Sequence, residues 1–107
     1  MDKPLVWLHG EVRSPPFSKA ARVETGDLLR RIQSGEMLTF PHSRPMPGIG
    51  ARCHELRVMD EDASWRIVYR IDTDAIVIAE VFRKSTRETP RHVVDACQRR
   101  LRRYDLG

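Results

Sequence analysis

Cysteine is scarce in this 107-residue chain: Cys53 and Cys97 lie far apart and make no C-x-x-C pair. The start, Met1-Asp2-Lys3-Pro4, carries no apolar core behind a basic stretch, so no secretion signal is expected and the protein reads as cytoplasmic. Both cysteines are then expected to be free thiols, and a secreted disulfide scaffold is not expected. The four histidines, His9, His42, His54 and His92, show no H-x-x-x-H or other metal-ligand spacing, so no metal site is expected. No apolar run approaches the roughly 20 residues of a membrane helix, which excludes that class. G-x-S-x-G, G-x-x-x-x-G-K-[ST] and G-x-G-x-x-G are all missing, and Gly48-Ile49-Gly50 alone carries no such signal. Serine hydrolases, nucleotide-dependent chemistry and a small-molecule cofactor fall away together.

Lysine is the last shortage. Of 19 basic residues, only Lys3, Lys19 and Lys84 are lysine; the rest are arginine, and 15 acidic residues leave a net charge of +4. Arginine presents a planar fork that grips phosphate through two hydrogen bonds and stacks on bases. A small basic domain rich in arginine points to nucleic acid as partner. A GC-rich genome also produces this bias, so composition alone leaves both explanations open. The length is that of one domain, with one modest core.

Along the chain, residues 5–12 form a short apolar run bounded by Pro4 and Ser14-Pro15-Pro16, the pattern of a strand. Phe17, Ala20, Ala21, Leu28 and Ile32 trace a helical stripe over residues 17–34 that stops at Gly35 and is open to a break at Gly26. Three prolines and two glycines within residues 36–51 predict a surface loop without regular structure. Three strand-like runs follow, 53–59, 65–71 and 75–82, divided by the acidic turns Asp60-Glu61-Asp62 and Asp72-Thr73-Asp74. That is an antiparallel meander. Parity sorts its side chains. Trp65, Ile67, Tyr69 and Ile71 face a core, whereas Arg66, Val68 and Arg70 face the other way; Cys53, Glu55 and Arg57 lie opposite His54, Leu56 and Val58. A final helix opens at Thr89-Pro90, with Thr89 as cap, and carries Val93, Cys97, Leu101 and Tyr104 on one face. The expected class is α+β, a twisted antiparallel sheet of the first strand plus the meander, with an N-terminal helical segment and a C-terminal helix.

The open sheet face would place Arg66 and Arg70 side by side, with Arg57 on the next strand and Arg83-Lys84 ending the third. The loop adds Arg44, and Arg52 at its far end. Converging guanidinium and ammonium groups stabilise the extra negative charge of the phosphorane formed in phosphodiester cleavage. The alternative is that these arginines are solvated positions paired with Asp60, Asp72, Asp74 or Glu80. Metal-free RNA cleavage also needs a base and an acid; Glu55, beside Arg57, is a candidate base or ion-pair partner, and His54 and His92 are weaker candidates.

Four stretches carry a family resemblance, in order over residues 5–104. Phe82-Arg83-Lys84-Ser85-Thr86-Arg87-Glu88-Thr89-Pro90 is similar to the F-x-K-K-T-x-K-T-P signature of phage-derived HigB-like proteins of the RelE/ParE toxin superfamily. His54-Glu55-Leu56-Arg57 resembles that family's x-E-L-R strand, Trp65-Arg66-Ile67-Val68-Tyr69-Arg70 its x-R-[IVL]-x-Y strand, and Ser43-Arg44-Pro45-Met46-Pro47-Gly48-Ile49-Gly50 its S-[RK]-P-[LM]-P-G-[LI]-G loop. The resemblance implies one RelE-like domain over residues 1–107. It also implies ribosome-dependent cleavage of mRNA without a metal, and silencing by a cognate helix-turn-helix antitoxin. It makes Arg66 and Lys84 the leading catalytic residues, with Arg57 and Arg83 second and Arg70 an added phosphate contact; the residues themselves add Glu55 to the catalytic candidates beside Arg57, and Arg44 and Arg52 to Arg70 and Arg83 as RNA-binding candidates. Ser85 stands where the signature has its second lysine, and only Tyr104 stands near the carboxyl end where some members carry a catalytic Tyr or His. Two other functions fit the same superfamily: a ParE-like inhibitor of DNA gyrase that cuts no RNA, and an inactive prophage remnant that binds only the antitoxin.

Overall fold

Alternation with period two across residues 53–84 builds the centre of the molecule. In the computed structural model, which describes residues 2–8, 17–61, 63–85 and 87–107, these residues form β3 (Cys53–Met59), β4 (Ser64–Ile71) and β5 (Ile76–Lys84). They pair antiparallel, with Leu56 opposite Ile67 and Ile67 opposite Val81. Around them lie β1 (Leu5–Trp7), α1 (Lys19–Gln33), β2 (Ser43–Pro45) and α2 (Arg91–Leu106), giving an α+β protein with sheet order β1-β5-β4-β3-β2. Among the described residues no helix is long and apolar enough to cross a membrane.

The sheet departs from the sequence reading at both edges. It is mixed rather than wholly antiparallel, because β1 lies parallel to β5, with Leu5 opposite Ile76 and Trp7 opposite Ile78. Parallel pairing needs a long crossover, and α1 with the strands after it supplies one. Backbone Lys3 N–H to Gln33 O (3.0 Å) and Gln33 Nε2 to Lys3 O (2.8 Å) tie the start of β1 to the end of α1. Of the strand expected over 5–12, the described part ends at Trp7, and residues 9–12 lie outside the described residues. The second departure is β2, inside the segment expected to be irregular. Ser43-Arg44-Pro45 pairs antiparallel with Leu56, Glu55 and His54. Pro45 is tolerated because β2 is an edge, where a missing N–H breaks no ladder.

Helix α1 runs unbroken through Gly26. A mid-helix glycine costs roughly 1 kcal/mol, and burial of Ala21, Thr25, Leu28, Leu29 and Ile32 offsets it. Ser18 caps the helix, its Oγ accepting from Ala21 N at 3.1 Å, and its own N–H reaches Asp60 Oδ2 in the β3–β4 turn at 2.8 Å.

Each helix covers one face of the sheet. Under α1 lie Leu56, Val58, Ile67, Tyr69, Ile76 and Ile78. On the opposite face Val68, Val77 and Ala79 pack with Val93, Cys97 and Leu101 of α2. The face carrying Arg66, Val68 and Arg70 is therefore partly roofed, not open, and Val68 is fully buried. A bulge on β5 resets which side chains share this face. The register with β4 jumps from Val68–Glu80 to Tyr69–Ile78, so Ala79 has no partner and parity changes there. Beyond the bulge Phe82 joins the α2 face, and Lys84 sits opposite Ser64 on the side of the sheet that also holds Arg66.

Candidate nucleic-acid interface

Glu55 sits mid-strand in β3, flanked by Arg44 on β2 and Val68 on β4. Its side chain has no exposed surface. A buried carboxylate needs compensating charge and hydrogen bonds, and three strands supply them. Its Oε1 lies 3.1 Å from Arg44 Nε, 3.4 Å from Arg66 Nε and 3.9 Å from Lys84 Nζ. Its Oε2 accepts from Thr89 Oγ1 at 2.9 Å. Thr89 is thus not the cap of α2, as the sequence suggested. The helix starts at Arg91 behind Pro90, and the hydroxyl turns to the carboxylate instead.

Positive charge exceeds negative charge here. Arg57 faces Arg66 across the β3–β4 ladder and lays its guanidinium 4.8 Å from the Phe40 ring. Among the described residues, Arg44, Arg66 and Lys84 gather around one carboxylate, and Arg57 stands beside Arg66. Arg66 is 4% exposed. Its NH1 donates to Ser64 Oγ and Trp65 O, while its Nε has no hydrogen-bond partner among the described residues. Burial, and then the nearby Arg57 charge, lower the Arg66 pKa from its usual value. Burial likewise lowers that of Lys84, against the opposing pull of Glu55. An arginine stays charged regardless, so the positive charge of the cluster persists at neutral pH. At a few ångströms in a partly desolvated site, each charge contact is worth several times its value in water. Chemically, the cluster is a buried carboxylate ringed by cations.

The other candidates go elsewhere. Arg70 lies on the same face as Arg66, but its fork is taken by two carboxylates. Nε and NH2 donate to Asp72 (2.7 and 2.9 Å), and NH1 and NH2 to Asp105 near the end of α2 (3.0 and 2.6 Å). Arg52, at positive φ of 61°, donates to Ile71 O and lies 3.5 Å from Asp72 at that same end of the sheet. Arg83 sits opposite Trp65, so the pleat directs it to the α1 face, away from Glu55. His54 stacks on Tyr69, ring centroids 5.3 Å apart, on the face opposite Glu55, and burial lowers its pKa. His92 is exposed on α2. Both cysteines are free and buried, and burial pushes Cys97 up to about 12.

Sequence reasoning missed Thr89 and Ser64. Thr89 was visible inside the Thr-Pro end of the F-x-K-K-T-x-K-T-P signature, but a threonine before Pro and a helix reads first as a cap. Ser64 had no signal, since it stood outside the expected strand 65–71.

No curated protein and no solved structure matches this chain. One family model does, described as phage derived protein Gp49-like (DUF891), and it covers residues 16–102. Every member of the cluster, from Arg44 to Thr89, falls within that span, and by this match the chain belongs to the phage-derived Gp49-like family, a family of the RelE toxin type.

Proposed function

We propose that this protein is the toxin of a type II toxin–antitoxin pair: a HigB-like endoribonuclease that cuts mRNA on the ribosome in the cytoplasm and is silenced by a helix-turn-helix antitoxin. The observation that carries this reading is the excess of cations around buried Glu55. In RNA cleavage the 2′-oxygen attacks phosphorus, the bond to the 5′-oxygen breaks, and charge builds on the non-bridging oxygens between the two events. In this reading Arg66 and Lys84, on the adjacent strands β4 and β5, meet those oxygens, with Arg44 and Arg57 beside them. Preorganised charge of this kind lowers the barrier without reorganisation at the moment of reaction. No metal or small-molecule cofactor enters the proposal. Of the two parts the sequence offered Glu55, base or ion-pair partner, this reading takes the second. With no exposed surface, it has nothing with which to touch a 2′-hydroxyl, so it acts as a positioning residue for the cations.

Induced expression of the chain alone, with new mRNA 5′ ends mapped against reading frame, tests this. Cuts in codon register that vanish in Arg66→Ala and Lys84→Ala are expected. Arrest with intact mRNA points to gyrase instead, and neither arrest nor cuts points to an inactive remnant.

A further inference from the structure

Beside the cationic cluster lies a second feature that phosphate binding does not use. Phe40 is a large aromatic residue left 69% exposed. It lines a hollow of about 240 Å³ with Glu24 of α1, Pro41, His42, and Arg57 and Met59 of β3. Arg57 belongs to both places: it neighbours Arg66 across the ladder and covers one side of the Phe40 ring at 4.8 Å. The hollow lies at the sheet edge, where β2 pairs with β3 as far as Leu56 and Arg57 N–H then bonds to His42 O at 2.8 Å.

We infer that this hollow is a nucleobase pocket, in which the base next to the phosphate held by the cluster stacks on Phe40 with its polar edge toward Glu24 and His42. The inference rests on the nuclease reading. An aromatic face flanked by a guanidinium is the usual platform for a single-stranded base. The hollow suits one planar ring system, and the adjacent excess of positive charge selects a polyanionic chain over an uncharged occupant. Glu24 is an acceptor, so it favours a base that presents an exocyclic amine (adenine, guanine or cytosine) over uracil.

The test uses ribosomes programmed with an mRNA carrying 2-aminopurine at one position of the A-site codon, reading fluorescence quenching and cleavage together. The parent and Phe40→Tyr are expected to quench the probe and cut. Phe40→Ala is expected to lose the quench and cut roughly tenfold more slowly. Because the ring is mostly exposed, the change leaves the core intact. Glu24→Gln is expected to relax the preference against uracil at the same codon position. If Phe40→Ala cuts and quenches like the parent, the base pocket is wrong while the phosphate seat stands. If Phe40→Ala cuts like the parent but escapes the co-expressed antitoxin, the hollow is a protein-docking surface and the base pocket is overturned. If the parent itself neither cuts nor quenches, the nuclease reading falls and takes this inference with it.

Discussion

Thr89 Oγ1 donates to Glu55 Oε2 across 34 residues of chain, fastening the segment before α2 onto the carboxylate that gathers the cations of β2, β4 and β5. Cationic cluster and helix entry are thereby coupled. Thr89→Val keeps the shape and removes the donor, leaving one buried oxygen without its partner. A hydrogen bond to a charged group contributes about 1.5–3 kcal/mol, so urea unfolding is expected to show a loss of roughly 2 kcal/mol, with Thr89→Ser close to the parent. Equal stability of the valine variant would remove the coupling.

Glu55 is expected to be the most sensitive position in the cluster. Glu55→Ala leaves Arg44, Arg66 and Lys84 facing one another without compensation, and breaking a buried ion pair from one side costs about 3–5 kcal/mol. Glu55→Gln retains an acceptor for Thr89 and loses less. Added salt screens the remaining repulsion and restores part of the stability of the alanine variant. A loss under about 1 kcal/mol for Glu55→Ala, by the scale of exposed pairs, would mean that the carboxylate does not organise the site.

Arg66 and Arg70, on the same face of the same strand, are expected to fail differently. Arg66→Ala and Lys84→Ala each lower the slope of log affinity for the ribosome–mRNA complex against log salt by about one. Arg70→Ala leaves that slope unchanged and destabilises the fold. The loss is about 2 kcal/mol, short of the fully buried range because Asp105 is half exposed. Affinity titrations at several salt concentrations, paired with unfolding curves, separate the two behaviours. A slope change in Arg70→Ala would return that residue to the RNA-binding set.

Acid stability is expected to depend in part on Asp60 and Asp105. Hydrogen bonds from Ser18 hold the Asp60 carboxyl below its usual pKa, and those from Arg70 do the same for Asp105. A carboxyl lowered in the folded state binds fewer protons there than in the unfolded chain near its titration. Its stabilisation is fully present above the unfolded value, about 3.9, and is lost as pH falls through the lowered folded value. Melting temperatures measured between pH 6 and 2 are expected to fall below about pH 4, and Asp60→Asn with Asp105→Asn to flatten that fall. An unchanged profile in the double variant would show that neither group carries it.

Much of this protein was legible in order of residues alone. The meander, its acidic turns, the division of Leu56 and Val58 from Glu55 and Arg57, and both helices follow from periodicities of two and 3.6, which are local properties of the backbone. Arg66, Lys84, Arg57, Glu55 and Arg44 were also named from sequence, and the fold brings them together. What the residues alone did not decide is anything set by partners distant in the chain. The parallel seat of β1 and the short β2 come from edge pairing, which has no local pattern. Arg70 left the cluster because Asp72, a partner the sequence did offer, and Asp105, 35 residues away near the end of α2, share its fork. Lys84 and Arg83 were both named from sequence, but one unpaired residue, Ala79, reverses parity along β5, so that Lys84 turns toward Glu55 and Arg83 away from it. Sequence by itself determined which residue types could make a phosphate seat, because charge and pleat are carried by each residue. Only the tertiary structure decided which of them share it, because register, bulge and helix docking place charges that the chain keeps far apart.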